Sequence, residues 1–247
     1  MRRIVSSHRA WRKALEPVAE TDAQYRPRAL SSAEIEALAD KPSIIVATLP
    51  YADTKCVCQS LALTLGYEQG RSLFKGSFTK NQVVPEMAAD FSLGGLVGGW
   101  HLGAAPPNID ALLRTGLSRI VLHVRDPRAS ALVYGRLRYF RDQPDRHQDG
   151  CYLETFVAPT DDPIFDERIN GFVRKAVPWL SAWLDATMTT PALRVLMRSY
   201  EELASDPGRY FRAVLDFYGV KPEQLVIAPR DEKLTFGNGQ PGAWRET

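Results

Sequence analysis

The chain alternates short apolar segments with amphipathic ones, and this alternation constrains its fold more than any other feature. Residues 43–49 read Ser-Ile-Ile-Val-Ala-Thr-Leu, an apolar, β-branched run that is too short for a buried helix. Such a run is typical of a strand that is covered on both faces. A polar turn follows it, and residues 56–65 then carry apolar side chains at helical spacing. A strand, a turn and a helix in this order predict the opening unit of an α/β domain.

The same pattern occurs twice more along the chain. Residues 119–124 form a second apolar run, which leads through a polar turn into an amphipathic helix. A third run, residues 192–197, ends shortly before Tyr200, and Asp206-Pro207 starts another helix. Strands that alternate with helices predict a parallel sheet, whose ligand is bound by the loops at the carboxyl ends of the strands.

The length of 247 residues fits a single domain that spans residues 1–247. Residues 1–40 are polar and helical in pattern, and we expect them to precede the core. Within them, Ser31 and Glu34 have the spacing of a capping box. Residues 141–163 are rich in Asp, Gln and Pro, which predicts a long loop or a lid.

Composition excludes several classes of protein. The 31 Lys and Arg residues nearly balance the 29 Asp and Glu residues, so we expect no nucleic-acid partner. The N-terminal residues lack the apolar core of a signal peptide, and no integral membrane segment is expected, which predicts a cytoplasmic protein. Three cysteines without any C-x-x-C pair predict reduced thiols and no metal site.

Two of the predicted strand-to-helix turns carry residues that suit an anion. Backbone N–H groups and the helix dipole favour phosphate at such turns. The first turn has Thr54 and Lys55 at the helix start, but it lacks glycine and contains Asp53, so an ordinary turn with Asp53 as the N-cap is the simpler interpretation. In the second turn, Arg125 and Arg128 can bind an anion or pair with neighbouring acids, and the local pattern leaves both open.

Taken together, the order and spacing of four segments resemble the cytosolic-type sulfotransferase family. These segments are the turn near residue 50, Arg125-Asp126-Pro127-Arg128, Tyr200-Glu201-Glu202-Leu203 before Asp206-Pro207, and residues 239–245. The resemblance implies an α/β, P-loop-kinase-like three-layer sandwich with a central, mainly parallel sheet flanked by helices. It also implies transfer of a sulfuryl group from 3′-phosphoadenosine 5′-phosphosulfate (PAPS) to a hydroxyl or amine acceptor by in-line displacement, with adenosine 3′,5′-bisphosphate (PAP) as the product.

The resemblance assigns the donor nucleotide to residues in all four segments. Arg125, with Arg128 nearby, would bind the 3′-phosphate, and Tyr200 would lie against the adenine. Thr54 and Lys55 would bind the 5′-phosphosulfate. The final segment, with Gly239, Trp244 and Arg245, would close over the nucleotide.

The resemblance also implies a general base. In the family this base is a histidine in a loop before the 3′-phosphate arginine. His101 lies 24 residues before Arg125, after a glycine-rich stretch at residues 94–99, and is expected to take that role with Lys55 as a catalytic cation. His123 lies on an apolar strand and is expected to be a core residue with satisfied hydrogen bonds.

Several positions depart from the family pattern. The family's loop Lys and Gly are Tyr51 and Asp53 here, its Ser after the second turn is Val133, and its adenine-stacking Trp is Cys56. The Arg-Lys pair before the final glycines is Gly237-Asn238. These losses favour, as the alternative, a catalytically decayed sulfotransferase-fold protein that binds or scaffolds a partner. A kinase-like transferase with another nucleotide has less support, because the first turn lacks G-x-x-x-x-G-K-[ST].

The acceptor is not determined by these motifs, and a small molecule, a saccharide and a lipid-like acceptor all remain open. The basic run Arg136, Arg138, Arg141 and Arg146 is expected to face solvent, with an acidic acceptor as its other interpretation. The aromatic stretch at residues 172–184 is expected to be mainly core. Part of it could line the acceptor site or a homodimer contact.

Overall fold

The structure is a computed structural model that describes residues 27–70, 72–74, 82–142 and 163–228. The strands in these ranges are β1 (Ile44–Thr48), β2 (Glu68–Gln69), β3 (Leu96–Trp100), β4 (Arg119–Val124) and β5 (Arg194–Ser199). The helices are α1 (Ser32–Leu38), α2 (Thr54–Leu65), α3 (Pro85–Ser92), α4 (Pro106–Arg114), α5 (Pro127–Asp142), α6 (Pro163–Thr189), α7 (Tyr200–Ser205) and α8 (Pro207–Tyr218).

The described strands form one parallel sheet in the order β2-β3-β1-β4-β5. In the central register, Val46 of β1 lies opposite Gly99 of β3 and Val121 of β4. The three apolar runs of the sequence correspond to β1, β4 and β5. The prediction of an α/β fold with a central parallel sheet is therefore confirmed.

Helices cover both faces of the sheet, which makes three layers. On one face, Ile45 and Ala47 of β1 pack in an apolar cluster with side chains from α3, α4 and α6. On the other face, Ile44 and Val46 pack with side chains from α2 and α8. All five β1 residues are buried, which explains why the strand is an unbroken apolar run without polar alternation.

The chain leaves β1 and β4 in opposite directions. Helix α2 connects β1 to β2 at one edge of the sheet, whereas α5 and α6 connect β4 to β5 at the other edge. Open parallel sheets bind ligands at such a switch point, in the crevice outside the carboxyl ends of the strands. A ligand site is therefore expected at the carboxyl ends of β1 and β4.

Strand β3 is absent from the sequence-based prediction because Gly98 and Gly99 mask its apolar pattern. The structure gives Gly99 a packing role. A Cβ atom at Gly99 would lie 2.5 Å from both the Sγ of Cys58 and the Cγ2 of Thr54. Only glycine lets the first turns of α2 pack this closely against β3.

The structure describes only parts of the predicted helical segment at residues 1–40 and of the predicted loop or lid at residues 141–163. Residues 32–38 are helical, and Ser31 and Glu34 form the predicted capping box. Helix α5 continues to Asp142 and α6 starts at Pro163, so the predicted lid is replaced by helix at both of its ends, and residues 143–162 lie outside the described part. Within that part, no helix combines the length and the apolar character that crossing a membrane would require.

Candidate functional site

Four segments that the sequence singled out meet at the carboxyl edge of the sheet. Strand β1 is followed by residues 49–53, called the first loop below, and β3 is followed directly by His101. Strand β4 leads to Arg125, and β5 leads to Tyr200. Hydrogen bonds and a ring contact, described below, connect these segments to one another.

The first loop has the backbone form of an anion site. Tyr51 and Asp53 have φ angles of 65° and 58°, the left-handed region that non-glycine residues occupy at a cost of about 1–2 kcal/mol. Asp53 is followed at once by the helical Thr54, and such a reversal of backbone hand turns successive N–H groups toward one point. Strain of this kind is retained mainly at functional sites.

Asp53 holds the N-cap position of α2, but its side chain makes no capping hydrogen bond. The predicted N-cap position of Asp53 is therefore confirmed, but without the side-chain hydrogen bond that usually accompanies it. The carboxylate is instead buried, with 2% of the residue exposed, and lies close enough to Arg125 to favour the charge of that guanidinium.

Thr54 and Lys55 begin helix α2. The hydroxyl of Thr54 donates to Oγ1 of Thr48 at 3.0 Å, and the Thr48 hydroxyl donates in turn to the carbonyl of Leu49 at 2.9 Å. Lys55 is exposed. A cation and a hydroxyl therefore stand at the positive end of the helix dipole, where an anion is favoured.

His101 is held at the root of the first loop. Its Nδ1 lies 3.0 Å from the carbonyl of Thr48, the last residue of β1. Because a carbonyl only accepts hydrogen bonds, Nδ1 carries the proton and Nε2 is the unprotonated nitrogen of the neutral ring. Burial lowers the pKa of His101 below 6.5, against a smaller opposing effect of the Thr48 hydrogen bond. The ring is therefore neutral, and able to accept a proton, at pH 7.

Two indoles fix the loop that carries His101. The Nε1–H groups of Trp179 and Trp183 donate to the same carbonyl, that of Leu102, at 2.8 and 3.0 Å. The side chain of Asn108 donates to the carbonyl of Gly103 at 2.9 Å. The sequence pattern predicts that the stretch containing the indoles is mainly core. The four-residue spacing of the two tryptophans, which places them on one helix face, was the available signal.

Arg125 is buried and fastened to the first loop. Its Nη1 donates to the carbonyl of Tyr51 at 3.0 Å, and its guanidinium lies over the ring of Tyr200 at 4.3 Å from the centroid. Only 3% of Arg125 and 3% of Tyr200 are exposed. The two residues that were predicted to bind the nucleotide therefore contact each other. One face of the Tyr200 ring is covered by the guanidinium of Arg125.

Acidic groups surround the Arg125 guanidinium. Burial lowers the pKa of Arg125, while Tyr200 and the carboxylates of Glu201, Asp53 and Asp126 act in the opposite direction. Glu201 also accepts a hydrogen bond from the backbone N–H of Asp126 at 3.1 Å. An anionic ligand that reaches Arg125 therefore has to compete with carboxylates that the protein already provides.

Of the two roles that the sequence leaves open for Arg128, binding an anion or pairing with a neighbouring acid, the structure shows the pairing. It is exposed and pairs with Asp126 through two contacts, Nη2 to Oδ2 at 2.7 Å and Nε to Oδ1 at 3.0 Å. The hydrogen bonds from Arg128 hold the pKa of Asp126 below its ordinary value, although partial burial opposes them.

His123 is a core residue with satisfied hydrogen bonds, as predicted, but it also touches the site. It is fully buried. Its Nε2 lies 2.6 Å from the carbonyl of Ala52 in the first loop, and its Nδ1 lies 2.8 Å from the hydroxyl of Tyr210. The Ala52 carbonyl requires a proton on Nε2, so the Tyr210 hydroxyl donates to Nδ1. Burial is the main reason that the pKa of His123 falls to about 4.

Several predicted residues lie outside the described part of the chain. They are Gly239, Trp244 and Arg245, together with Arg146 of the basic run. Val133, at the family's Ser position, is 6% exposed in α5. Across the described ranges, no cluster of three or more His, Cys, Asp or Glu side chains is arranged to hold a metal ion.

No protein-family model matches the chain, and no curated protein matches it. Among solved structures it is similar to a mouse sulfotransferase complexed with PAP, at 14% identity and a TM-score of 0.44, over 78% of this chain and 64% of the mouse chain. It thus spans less than two thirds of that protein's length.

Two bacterial structures are also similar. A sulfotransferase from Alicyclobacillus acidocaldarius has 16% identity and a TM-score of 0.48, over 79% of this chain and 88% of the other. The sulfotransferase domain of the Synechococcus olefin synthase has 16% identity and a TM-score of 0.44, over 90% of this chain and 83% of the other. All three are sulfotransferases, the family that the motifs of this sequence resemble.

Proposed function

We propose that the chain is a sulfotransferase that moves a sulfuryl group from PAPS to a hydroxyl or amine acceptor. The observation that carries the proposal is the hydrogen bond from Nδ1 of His101 to the carbonyl of Thr48. It places a neutral imidazole at the root of the loop whose backbone suits an anion. A proton acceptor beside an anion site is what in-line transfer to a hydroxyl needs.

The residues at the start of α2 fit the 5′ end of the donor. The reversal of backbone hand at Asp53 and Thr54 and the helix dipole suit a phosphosulfate, and the exposed Lys55 adds a cation. In this proposal the guanidinium fork of Arg125 binds the 3′-phosphate, with Arg128 nearby. In this proposal Tyr200 lies against the adenine.

The final segment of the chain completes the proposed donor site. Gly239, Trp244 and Arg245 close over the nucleotide, as the resemblance implies. PAPS supplies the sulfuryl group and PAP as its leaving group, and a hydroxyl-bearing small molecule or saccharide is the proposed acceptor. We place this reaction in the cytoplasm.

In the proposed reaction the protein accepts one proton and stabilises the negative charge that develops on the leaving oxygen. Nε2 of His101 accepts the proton of the acceptor hydroxyl as its oxygen attacks sulfur, and general-base catalysis of this kind contributes about 10²–10⁴-fold in rate. Lys55 and the N–H groups at the start of α2 face the oxygen that gains negative charge as the S–O bond breaks. The indoles of Trp179 and Trp183 keep the His101 loop in place.

A titration of thermal stability tests the proposed donor. PAP is expected to raise the melting temperature by several degrees at saturation, because a ligand at a hundred times its Kd stabilises the folded state by about 2.7 kcal/mol. ATP and GTP are expected to have much smaller effects, and adenosine 5′-monophosphate, which lacks the 3′-phosphate, is the matched control. A preference for ATP or GTP would overturn the proposal, and no response to any nucleotide would favour the decayed binding protein.

A further inference from the structure

We propose that His123 is a positioning residue: through the carbonyl of Ala52 it orients the backbone N–H groups of the first loop toward the bound 5′-phosphate. The inference rests on the proposed function, since it concerns the donor site. It assigns a role to a buried histidine that the proposed chemistry does not use.

One side chain of strand β4 and one that directly follows it hold two consecutive carbonyls of the first loop. Nε2–H of His123 donates to the carbonyl of Ala52 at 2.6 Å, and Nη1–H of Arg125 donates to the carbonyl of Tyr51 at 3.0 Å. His123 lies in β4 and Arg125 directly follows the last residue of that strand, and both side chains reach the first loop. The loop is therefore fastened to β4 along two adjacent peptide units.

Peptide geometry converts this fastening into a direction for the N–H groups. In a planar trans peptide the N–H points opposite to the C=O of the same unit. Drawing the Tyr51 carbonyl toward Arg125 points the N–H of Ala52 away from it, and drawing the Ala52 carbonyl toward His123 does the same for the N–H of Asp53. These N–H groups lead directly into the first turn of α2, where Thr54 and Lys55 stand.

The surroundings of His123 keep its ring neutral, with the proton on Nε2, so that it can donate to the Ala52 carbonyl. The hydroxyl of Tyr210 on α8 donates to Nδ1, which fixes the proton on Nε2. The charges of Arg125 and Glu202 act on the pKa of the ring in opposite directions, and each has a smaller effect than burial. The ring stays neutral above about pH 5, since its pKa is about 4, so the loop keeps its orientation throughout the physiological range.

The test compares the Kd of PAP with that of adenosine 3′-monophosphate by isothermal titration calorimetry. The Kd of adenosine 3′-monophosphate divided by the Kd of PAP measures what the 5′-phosphate contributes to binding. His123→Leu is expected to reduce this ratio at least tenfold, because the Ala52 peptide loses its anchor. His123→Gln, whose amide N–H can replace Nε2–H, is expected to restore the ratio to within threefold of the wild type. A purely structural role would weaken both ligands equally.

Tyr210→Phe keeps the test decisive if His123→Leu does not fold. It removes one hydroxyl, leaves the ring in the core, and is expected to lower the ratio about threefold. An unchanged ratio in a folded His123→Leu or Tyr210→Phe protein would overturn the inference and leave the proposed function standing. A wild-type chain that does not bind PAP would overturn the proposed function itself.

A separate surface carries a second inference: we infer that α6 forms a two-fold contact with a second copy of the chain. Four of the nine exposed large hydrophobic residues in the described part lie on this helix. They are Val173, Val177, Leu184 and Met188, which are 36%, 53%, 46% and 74% exposed. At about 100° per residue they fall within an arc of about 60°, which makes one apolar stripe.

The stripe matches itself when the helix is reversed. Its spacings of four, seven and four residues are symmetric about the midpoint between Leu180 and Ser181. A two-fold axis through that point would pair Val173 with the partner subunit's Met188, and Val177 with the partner subunit's Leu184. Self-complementarity of this kind is what a two-fold interface requires.

The charges beside the stripe suit the same arrangement. Arg174 and Asp185 are both exposed and lie about 20° apart around the helix, on the same flank of the stripe. Reversal brings Arg174 of one copy near the partner subunit's Asp185. Opposite charges thus meet at both ends of the contact and select the antiparallel orientation.

Sedimentation velocity over a range of protein concentrations tests this contact. The wild type is expected to show a monomer–dimer equilibrium. Leu184→Glu and Arg174→Asp are expected to weaken it at least tenfold, and adding Asp185→Arg to Arg174→Asp is expected to restore it, because the exchanged charges attract again. A wild-type chain that stays monomeric at high concentration, or a charge exchange that does not restore the dimer, would overturn the inference.

Discussion

Replacement of His101 by alanine is expected to lower turnover at least a hundredfold and to leave the affinity for PAP within about threefold of the wild type. The imidazole is proposed to accept the acceptor's proton, and general bases contribute about 10²–10⁴-fold. It contacts the carbonyl of Thr48 and is not among the residues proposed to hold the nucleotide. The measurement is the release of PAP from PAPS with a panel of phenol, alcohol and amine acceptors, beside calorimetry with PAP.

His101→Asn is the matched variant for this prediction. An asparagine amide can donate to the Thr48 carbonyl as Nδ1–H does, but it has no basic nitrogen. If His101 acts as the base, asparagine and alanine lose turnover to the same extent. An asparagine variant that keeps turnover within threefold of the wild type would assign His101 a purely structural role in the loop.

The pH profile gives an independent check on the same assignment. Proton acceptance requires the neutral ring, so turnover is expected to rise with pH through the pKa of His101 and to level off above it. Burial lowers this pKa below 6.5, and the half-maximal rate should therefore fall on the acid side of pH 6.5. A half-maximal rate above pH 7 would point to a different base.

The sequence predicted the central strands because burial on both faces leaves a mark in the residues themselves. Every residue of β1 is buried, so the strand is a nearly unbroken apolar run, and in β4 the buried Ile120, Val121 and Leu122 follow the same rule. Strand β3 could not be found in this way. Helix α2 packs so closely against it that position 99 requires a residue without a Cβ atom, and glycine interrupts the apolar pattern. The two-residue strand β2 is polar and exposed and carries no pattern at all.

The candidate site shows a similar division. Arg125 could be named from its position after a buried strand, since parallel strands bring their carboxyl ends to one edge, whereas His101 could be named only through the family resemblance. The contacts between them could not, because they depend on backbone carbonyls: those of Thr48, Tyr51 and Ala52 accept from His101, Arg125 and His123. Carbonyls are common to all residues, so a sequence motif does not reveal which of them a side chain will reach.

Replacement of Arg125 by methionine is expected to have the largest effect on both stability and affinity. The guanidinium is 3% exposed and lies among the carboxylates of Asp53, Glu201 and Asp126. Removing one partner of a buried charge cluster costs about 3–5 kcal/mol, because the remaining charges are left uncompensated. Affinity for PAP is expected to be lost as well, since the proposed 3′-phosphate fork is gone. Urea unfolding and calorimetry measure the two effects.

Two further variants separate these effects from a general loss of positive charge. Arg114→Met removes an exposed arginine that pairs with Asp110 on α4, and it should change the free energy of unfolding by less than about 1 kcal/mol. Arg125→Lys keeps the charge but loses the fork and the planar stacking on Tyr200, so it should recover most of the stability while PAP still binds at least tenfold more weakly.

Adding Asp53→Asn to Arg125→Met tests why the cluster exists. If Asp53 mainly balances the buried guanidinium, the double variant should regain stability relative to Arg125→Met and still fail to bind PAP. The carboxylate would then be a counter-charge that occupies the position of the family's loop glycine, and its removal from the wild type alone should strengthen PAP binding by relieving competition for Arg125. A double variant no more stable than Arg125→Met would show that Asp53 acts through some contact other than the guanidinium.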